Sequence, residues 1–143
     1  MFVATDVGSS VRLCYPPYNG ADVALCLGSA ISVAGGAART GRRTIAVIGD
    51  FALLHSGIEA LIEASLRGLP VLTVVLDNGV QAQIGGQPTP TIDLNRLVTA
   101  CGVARIERWP LQAYSAQATF DRLCHMLRGP LPAVAFITSQ EQS

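Results

Sequence analysis

Apolar residues along this chain come in short unbroken runs rather than in alternation. Phe2–Ala4 is a brief run closed by Thr5-Asp6. Thr44–Ile48 reads TIAVI and stops at Gly49-Asp50, and Val71–Leu76 reads VLTVVL and stops at Asp77-Asn78-Gly79. Val103–Ile106 and Ala133–Ile137 are weaker runs of the same kind. A continuous run rich in β-branched residues predicts a strand covered on both faces. Between the runs the spacing shifts to the helical period. Ser29–Arg39 carries no charge before its last residue, and its small side chains allow a close approach of neighbouring backbone. In Leu54–Arg67, Ile58, Leu61, Ile62 and Leu66 form an apolar stripe, with Glu59, Glu63 and Arg67 facing water. Asp93–Ala100 begins on an aspartate suited to capping. Ser115–Leu127 places Phe120, Leu123, Cys124 and Leu127 on one side. Strands alternating with helices predict right-handed βαβ units. The expected fold is α/β: a single three-layer α/β/α domain around a mostly parallel sheet, with no repeat or boundary inside 1–143. Gly79–Thr91 is a long loop rich in Gly, Gln and Pro, a type often functional in compact domains.

Composition narrows the class. Half of the 143 residues are hydrophobic and 14% are charged, against about 25% in an average soluble domain. Ten acids balance ten bases, and every base is arginine. A neutral chain without a basic run argues against a nucleic-acid partner. The mean hydropathy of +0.40 raises the question of a membrane. No apolar stretch reaches the roughly 18–20 residues that span a bilayer, and the N-terminus lacks the basic-then-apolar order of a signal peptide. The expectation is a cytoplasmic domain that hides part of its apolar surface against a partner. Cys14, Cys26, Cys101 and Cys124 have neither C-x-x-C spacing nor a histidine at ligand spacing. They read as reduced thiols rather than zinc, iron–sulfur or disulfide positions.

Ligands of open α/β sheets bind outside the carboxyl ends of the strands. That rule selects Gly49-Asp50 and Asp77-Asn78-Gly79. Asp50 and Asn78 are hard oxygen donors 28 positions apart. On adjacent strand ends they could hold Mg²⁺ together with a backbone carbonyl and phosphate oxygens. A helix starting after Asp50 would favour an anion at its N-terminus. Neither turn carries an arginine; Arg42 and Arg43 precede their strand and belong to the opposite edge. Taken singly, an Asp after a strand is more often a cap and an Asn-Gly more often a turn. Order and spacing together make the pair specific.

Gly49-Asp50, 27 intervening residues and Asn78 resemble the thiamine diphosphate signature. The flanks extend the likeness over roughly residues 3–110: Thr5-Asp6-Val7-Gly8, Pro16-Pro17-Tyr18, Cys26 through Ala34, His55-Ser56-Gly57-Ile58, and Leu76 through Pro88. These segments resemble the α-subunit of indolepyruvate ferredoxin oxidoreductase. The Asn-Gly…Gly-Gly-Gln-Pro loop is also similar to that of phosphonopyruvate and sulfopyruvate decarboxylases.

The resemblance implies Mg²⁺ and thiamine diphosphate as cofactors. Asp50 and Asn78 would be side-chain metal ligands and the Val80 carbonyl a third. Gly49 opens the motif, and the amides of Phe51 and Ala52 would face the diphosphate. Leu27, beside Gly28, would hold the cofactor bent, so that its 4′-amino group approaches thiazolium C2. The Leu25 carbonyl would accept a hydrogen bond from that amino group. Gln87 would stand near the diphosphate or the substrate entrance, and His55 would touch the cofactor or the substrate carboxylate.

Three departures follow. Phe51 replaces the usual small residue and crowds the diphosphate. No iron–sulfur segment is present. No pyrimidine-binding domain is present either, so the glutamate that activates the aminopyrimidine must come from a partner chain or domain. The chain thus reads as one diphosphate-binding domain over 1–143, part of a larger homo- or hetero-oligomeric unit acting on a 2-oxoacid by oxidative decarboxylation. The alternatives are a subunit of a non-oxidative 2-oxoacid decarboxylase, or a non-catalytic partner-binding domain of the same fold.

Overall fold

The computed structural model describes residues 1–81 and 84–139. In chain order the strands are β1 (Phe2–Thr5), β2 (Val23–Ala24), β3 (Thr44–Gly49), β4 (Val71–Asp77), β5 (Val80–Gln81), β6 (Gln87–Pro88), β7 (Arg105–Pro110) and β8 (Ala133–Thr138). The helices are α1 (Ala30–Ala38), α2 (Asp50–Ala52), α3 (Ile58–Leu66), α4 (Leu94–Ala100) and α5 (Ala116–Arg128). A π-helical turn, Leu53–Gly57, joins α2 to α3, and a 3₁₀ helix, Ser9–Cys14, follows β1. Six strands form one sheet in the order β2-β1-β3-β4-β8-β7, parallel at every pairing. β5 and β6 make a separate antiparallel ribbon.

The expected three-layer α/β/α arrangement is present. Helices α1, α3 and α4 cover one face through Ile31, Ala34, Leu61 and Val98, which pack on Ile48, Val75 and Phe136. Helix α5 covers the other face, where Met126 meets Leu72, Val74 and Trp109. Each such large side chain, fully removed from water, stabilises the fold by about 1.5–3 kcal/mol. The uncharged character of α1 has a local cause: Ala30, Ile31, Ala34 and Ala38 are all buried against the domain's own sheet. Arg43 lies at the amino edge of the sheet as expected. It donates to the carbonyls of Leu127 and Gly129 at the end of α5, at 2.6 and 2.8 Å, where a cation suits the helix dipole.

Several local expectations are corrected. The stripe expected on Leu54–Arg67 is narrower, because Leu61 and Ala64 face the core while Ile62 and Leu66 are exposed. All four expected stripe residues lie in regular α-helix after the π turn, so the difference is which side of α3 meets the sheet. Phe120 is exposed, and Met126 is the residue of α5 that is buried. The expected strand at Val103 starts instead at Arg105, since Gly102, at φ +90°, turns the chain first. β2 has two residues, too few for a pattern to register. Asp93 caps its helix as expected, accepting from the amide of Arg96, and Ser115 does the same for α5 with the amide of Ala118.

The connection after β1 runs to β2 on one side, whereas that after β3 runs to β4 on the other. The carboxyl ends of β1 and β3 therefore flank a point where the winding reverses, the place where open α/β sheets leave a crevice.

Candidate functional site

A cavity of about 320 Å³ opens at that reversal. Its floor and walls come from the segments following β1, β3 and β4, together with Leu27 from the segment after β2. Most of the lining is apolar: Val7, Leu27, Phe51, Leu76, Val80 and Ile84. The polar side chains on it include Asp6, Ser10, Asp50 and Asn78, and no described lining residue is basic.

Asp50 is 3% exposed. β3 pairs with β4 through Gly49 and Leu76, so Asp50 and Asn78 leave neighbouring strand ends. The Asp50 carboxylate takes the Phe51 amide on Oδ1 at 2.7 Å and the Gly79 amide on Oδ2 at 2.8 Å. The Thr89 hydroxyl donates to Oδ2 at 3.3 Å, and the Thr89 amide donates to the Gly79 carbonyl at 2.9 Å. One carboxylate thus ties the start of α2 to both ends of the loop after β4. Asn78 Oδ1 accepts from the Val80 amide at 3.0 Å, an Asx turn. Carbonyl and carboxylate oxygens have two lone pairs, so both groups keep acceptor capacity for a hard cation. Among the described residues no three His, Cys, Asp or Glu side chains cluster. A cation held here would complete its shell from backbone oxygen and from the ligand itself. This donor set fits Mg²⁺ beside a diphosphate, whose charge no described side chain of the cavity would otherwise balance.

Another part of the wall is built around Asp6, which is fully buried. Its carboxylate accepts the Gly28 amide on both oxygens, at 3.0 and 3.1 Å, and the Val7 amide at 2.8 Å. The adjoining carbonyl, that of Leu27, accepts from Ser56 Oγ at 2.9 Å. His55 Nδ1 lies 3.1 Å from the same Oγ. The serine hydrogen is engaged with Leu27, so His55 Nδ1 is the donor of that contact. Gly28 sits at φ +81°, and a Cβ there would stand 1.9 Å from Ser56 Oγ. Glycine is required at this position by both backbone and neighbour.

Leu27, Gly49, Asp50, Phe51, Ala52, Asn78 and Val80 all line the cavity, so the two turns selected from sequence converge in space. Gly28 stands behind the lining. Leu25, His55 and Gln87 are exposed and lie off the described cavity wall; Gln87 belongs to the β5–β6 ribbon. The Phe51 amide does not face the cavity as a free donor, because the strand-to-helix turn lays Asp50 Oδ1 over it. The Phe51 ring leans on His55, with centroids 5.9 Å apart. Asp6 through Ser10 and Thr89 were not picked out as site residues. The strand-end rule, applied to the short run Phe2–Ala4, finds the first group; Thr89 carries no such signal.

Cavity and winding together are those of a cofactor-binding domain of the open α/β class. Comparison with known families then narrows the class. Residues 6–113 match the family described as thiamine pyrophosphate enzyme, C-terminal TPP binding domain, and the chain belongs to that family. It is 35% identical over 116 residues to the indolepyruvate oxidoreductase subunit IorA of Methanothermobacter marburgensis, a match covering 72% of the chain and 19% of that protein. The corresponding subunit of Archaeoglobus fulgidus is 29% identical over the same shares. The chain therefore spans about a fifth of the length of these relatives. Among solved structures, the 2-oxoglutarate:ferredoxin oxidoreductase of Magnetococcus marinus aligns with a TM-score of 0.76 at 18% identity, covering 96% of the chain and 53% of its counterpart. That likeness is one of fold.

Proposed function

We propose that this chain is the Mg²⁺–thiamine diphosphate-binding part of a 2-oxoacid oxidoreductase of the indolepyruvate type. The observation that carries the reading is the convergence of buried Asp50 with Asn78 at neighbouring strand ends, in a cavity with no basic side chain among its described lining residues. Asp50 and Asn78 would hold the metal, with the Val80 carbonyl as a third protein ligand. Leu27 would support the cofactor from another part of the wall. Thiamine diphosphate, when bound, supplies the electron sink for loss of CO₂ from a 2-oxoacid. The protein's own share is binding, orientation and exclusion of water by Leu76, Val80 and Ile84.

The activating glutamate would come from a pyrimidine-binding domain or subunit, and the chain would work within a larger, oligomeric assembly. No helix among the described residues is long and apolar enough to cross a membrane. The four cysteines are free, which suits a reducing cytoplasm. His55 and Gln87, exposed here, would reach the site from its rim.

Calorimetry with thiamine diphosphate, with and without MgCl₂, tests the reading. Metal-dependent binding is expected in the assembled protein, and Asp50→Ala should abolish it. Unchanged affinity in that variant would refute the ligand assignment. A non-oxidative decarboxylase would use the same metal site. An acyl-CoA with reduced ferredoxin supports the oxidoreductase, whereas an aldehyde formed without an electron acceptor supports the decarboxylase.

A further inference from the structure

The Leu27 carbonyl and the Gly28 amide belong to one peptide unit. In a trans peptide these two groups point in opposite directions. Here both are bonded: Ser56 Oγ donates to the carbonyl, and the amide donates to both oxygens of Asp6. The two partners lie on unrelated elements, the segment after β1 and the π turn after α2. A single peptide plane is thus held from two sides between them. The hold is tight, since Gly28 has positive φ and no room for a Cβ beside Ser56.

Burying a carboxylate is costly unless hydrogen bonds replace its water. Asp6 is fully buried, and an apolar residue of its size would satisfy packing at lower cost. Its amide partners are Val7, next to it in sequence, and Gly28, 22 positions away. The distant bond therefore sets the orientation of the Leu27–Gly28 peptide, and with it the direction of the Leu27 side chain, which lines the cavity.

We infer that Asp6 and Ser56 are positioning residues that clamp the Leu27–Gly28 peptide and so fix Leu27 against the organic part of the cofactor. The inference rests on the reading of the cavity as a thiamine diphosphate site. The clamp shares none of its hydrogen-bonded groups with the Asp50–Asn78 end. Its loss should weaken the hold on the thiamine moiety and leave the diphosphate grip untouched.

The test uses Asp6→Asn, Ser56→Ala and Leu27→Ala. Hydrogen exchange of the 143-residue chain reads the clamp without any ligand. Asp6→Asn should speed exchange at Gly28 at least tenfold while β3 and β4 amides keep their protection. A uniform loss of protection would mean that Asp6 only stabilises the core, and would overturn the inference. In the assembled protein, affinities are then measured for thiamine diphosphate and for inorganic diphosphate, each with MgCl₂. Asp6→Asn should lower the first about tenfold, the scale of one lost hydrogen bond to a buried charge, and leave the second unchanged. Ser56→Ala should act in the same direction, about threefold for a neutral bond. It carries the test if Asp6→Asn fails to fold.

If Leu27→Ala weakens thiamine diphosphate binding but neither clamp variant does, the clamp is refuted and the site reading stands. If Leu27→Ala and Asp50→Ala both leave binding unchanged, the site reading fails with it. Equal losses for both ligands in the clamp variants would likewise overturn the proposed division between the two ends.

Discussion

Gly28→Ala is expected to be among the most damaging single-methyl additions in this chain. An alanine at φ +81° would sit in the left-handed region, at a cost of roughly 1–2 kcal/mol. The new Cβ would meet Ser56 Oγ at 1.9 Å, Ser56 Cβ at 2.9 Å and the Ser56 backbone carbon at 3.0 Å. Rotating the hydroxyl away removes only the first contact. It also sacrifices the bond to the Leu27 carbonyl, worth about 1 kcal/mol. The two remaining contacts involve atoms that move only with the π turn, and overpacking of this kind costs about 1–3 kcal/mol. Together these terms predict a loss of about 3–6 kcal/mol, or roughly 10–20 °C in melting temperature for a domain of this size. Trp109, the single tryptophan, is 1% exposed and reports unfolding by fluorescence. Gly36→Ala is the matched control, because Gly36 lies within α1 and a Cβ there meets nothing within 4 Å. It should stabilise by up to about 1 kcal/mol through helix propensity. Adding Ser56→Gly to Gly28→Ala removes the Oγ and Cβ contacts and should restore much of the part due to collision, leaving the backbone-carbon contact and the part due to φ. A melting temperature for Gly28→Ala within a degree or so of the parent would refute the reasoning.

Arg108 donates to Asp77 Oδ2 at 2.5 Å and lies over the Phe136 ring at 4.3 Å, with both partners of the ion pair mostly buried. Arg108→Met keeps much of the packing and strands the carboxylate, so urea denaturation should show a loss of about 2 kcal/mol, short of the cost in a fully buried pair. Adding Asp77→Asn should recover most of it; a double variant as unstable as the single would sink the assignment. Cys101 is buried, and desolvation raises its thiol pKa above the ordinary value. The folded state then keeps the thiol neutral while the unfolded chain ionises. This contribution is complete below the unfolded thiol pKa and is lost as pH rises through the folded one. Stability should fall over that alkaline range, less so in Cys101→Ala. Iodoacetamide should modify exposed Cys26 well before Cys101, and equal rates would contradict the burial.

The strands Thr44–Gly49 and Val71–Asp77 were legible because continuous β-branched runs are a local signal, and their ends named Asp50 and Asn78 directly. The cap at Asp93 was legible for the same reason, since a cap acts within three or four residues. Ile62 and Leu66 were misassigned to a buried stripe because residue type alone does not say which side of α3 meets the sheet, and the small Ala64, not either of these, lies on that side. Asp6 read as the stop after a short run, while its role depends on a glycine in another loop.

Sequence alone therefore determined the class of fold, the longer strands and helices, and the two acidic or amide strand ends where a metal-bound diphosphate would be received. All of these follow from spacing within one element or one turn. Tertiary structure decided the sheet order, the cavity wall after β1 and the bonds that shape it. Asp6 reaches Gly28 across 22 positions, Ser56 reaches Leu27 across 29 and Thr89 reaches Asp50 across 39. The first two exist because β1 lies between β2 and β3 in the sheet, and the third because β4 lies beside β3. Periodicity along a chain carries no record of which strand becomes whose neighbour.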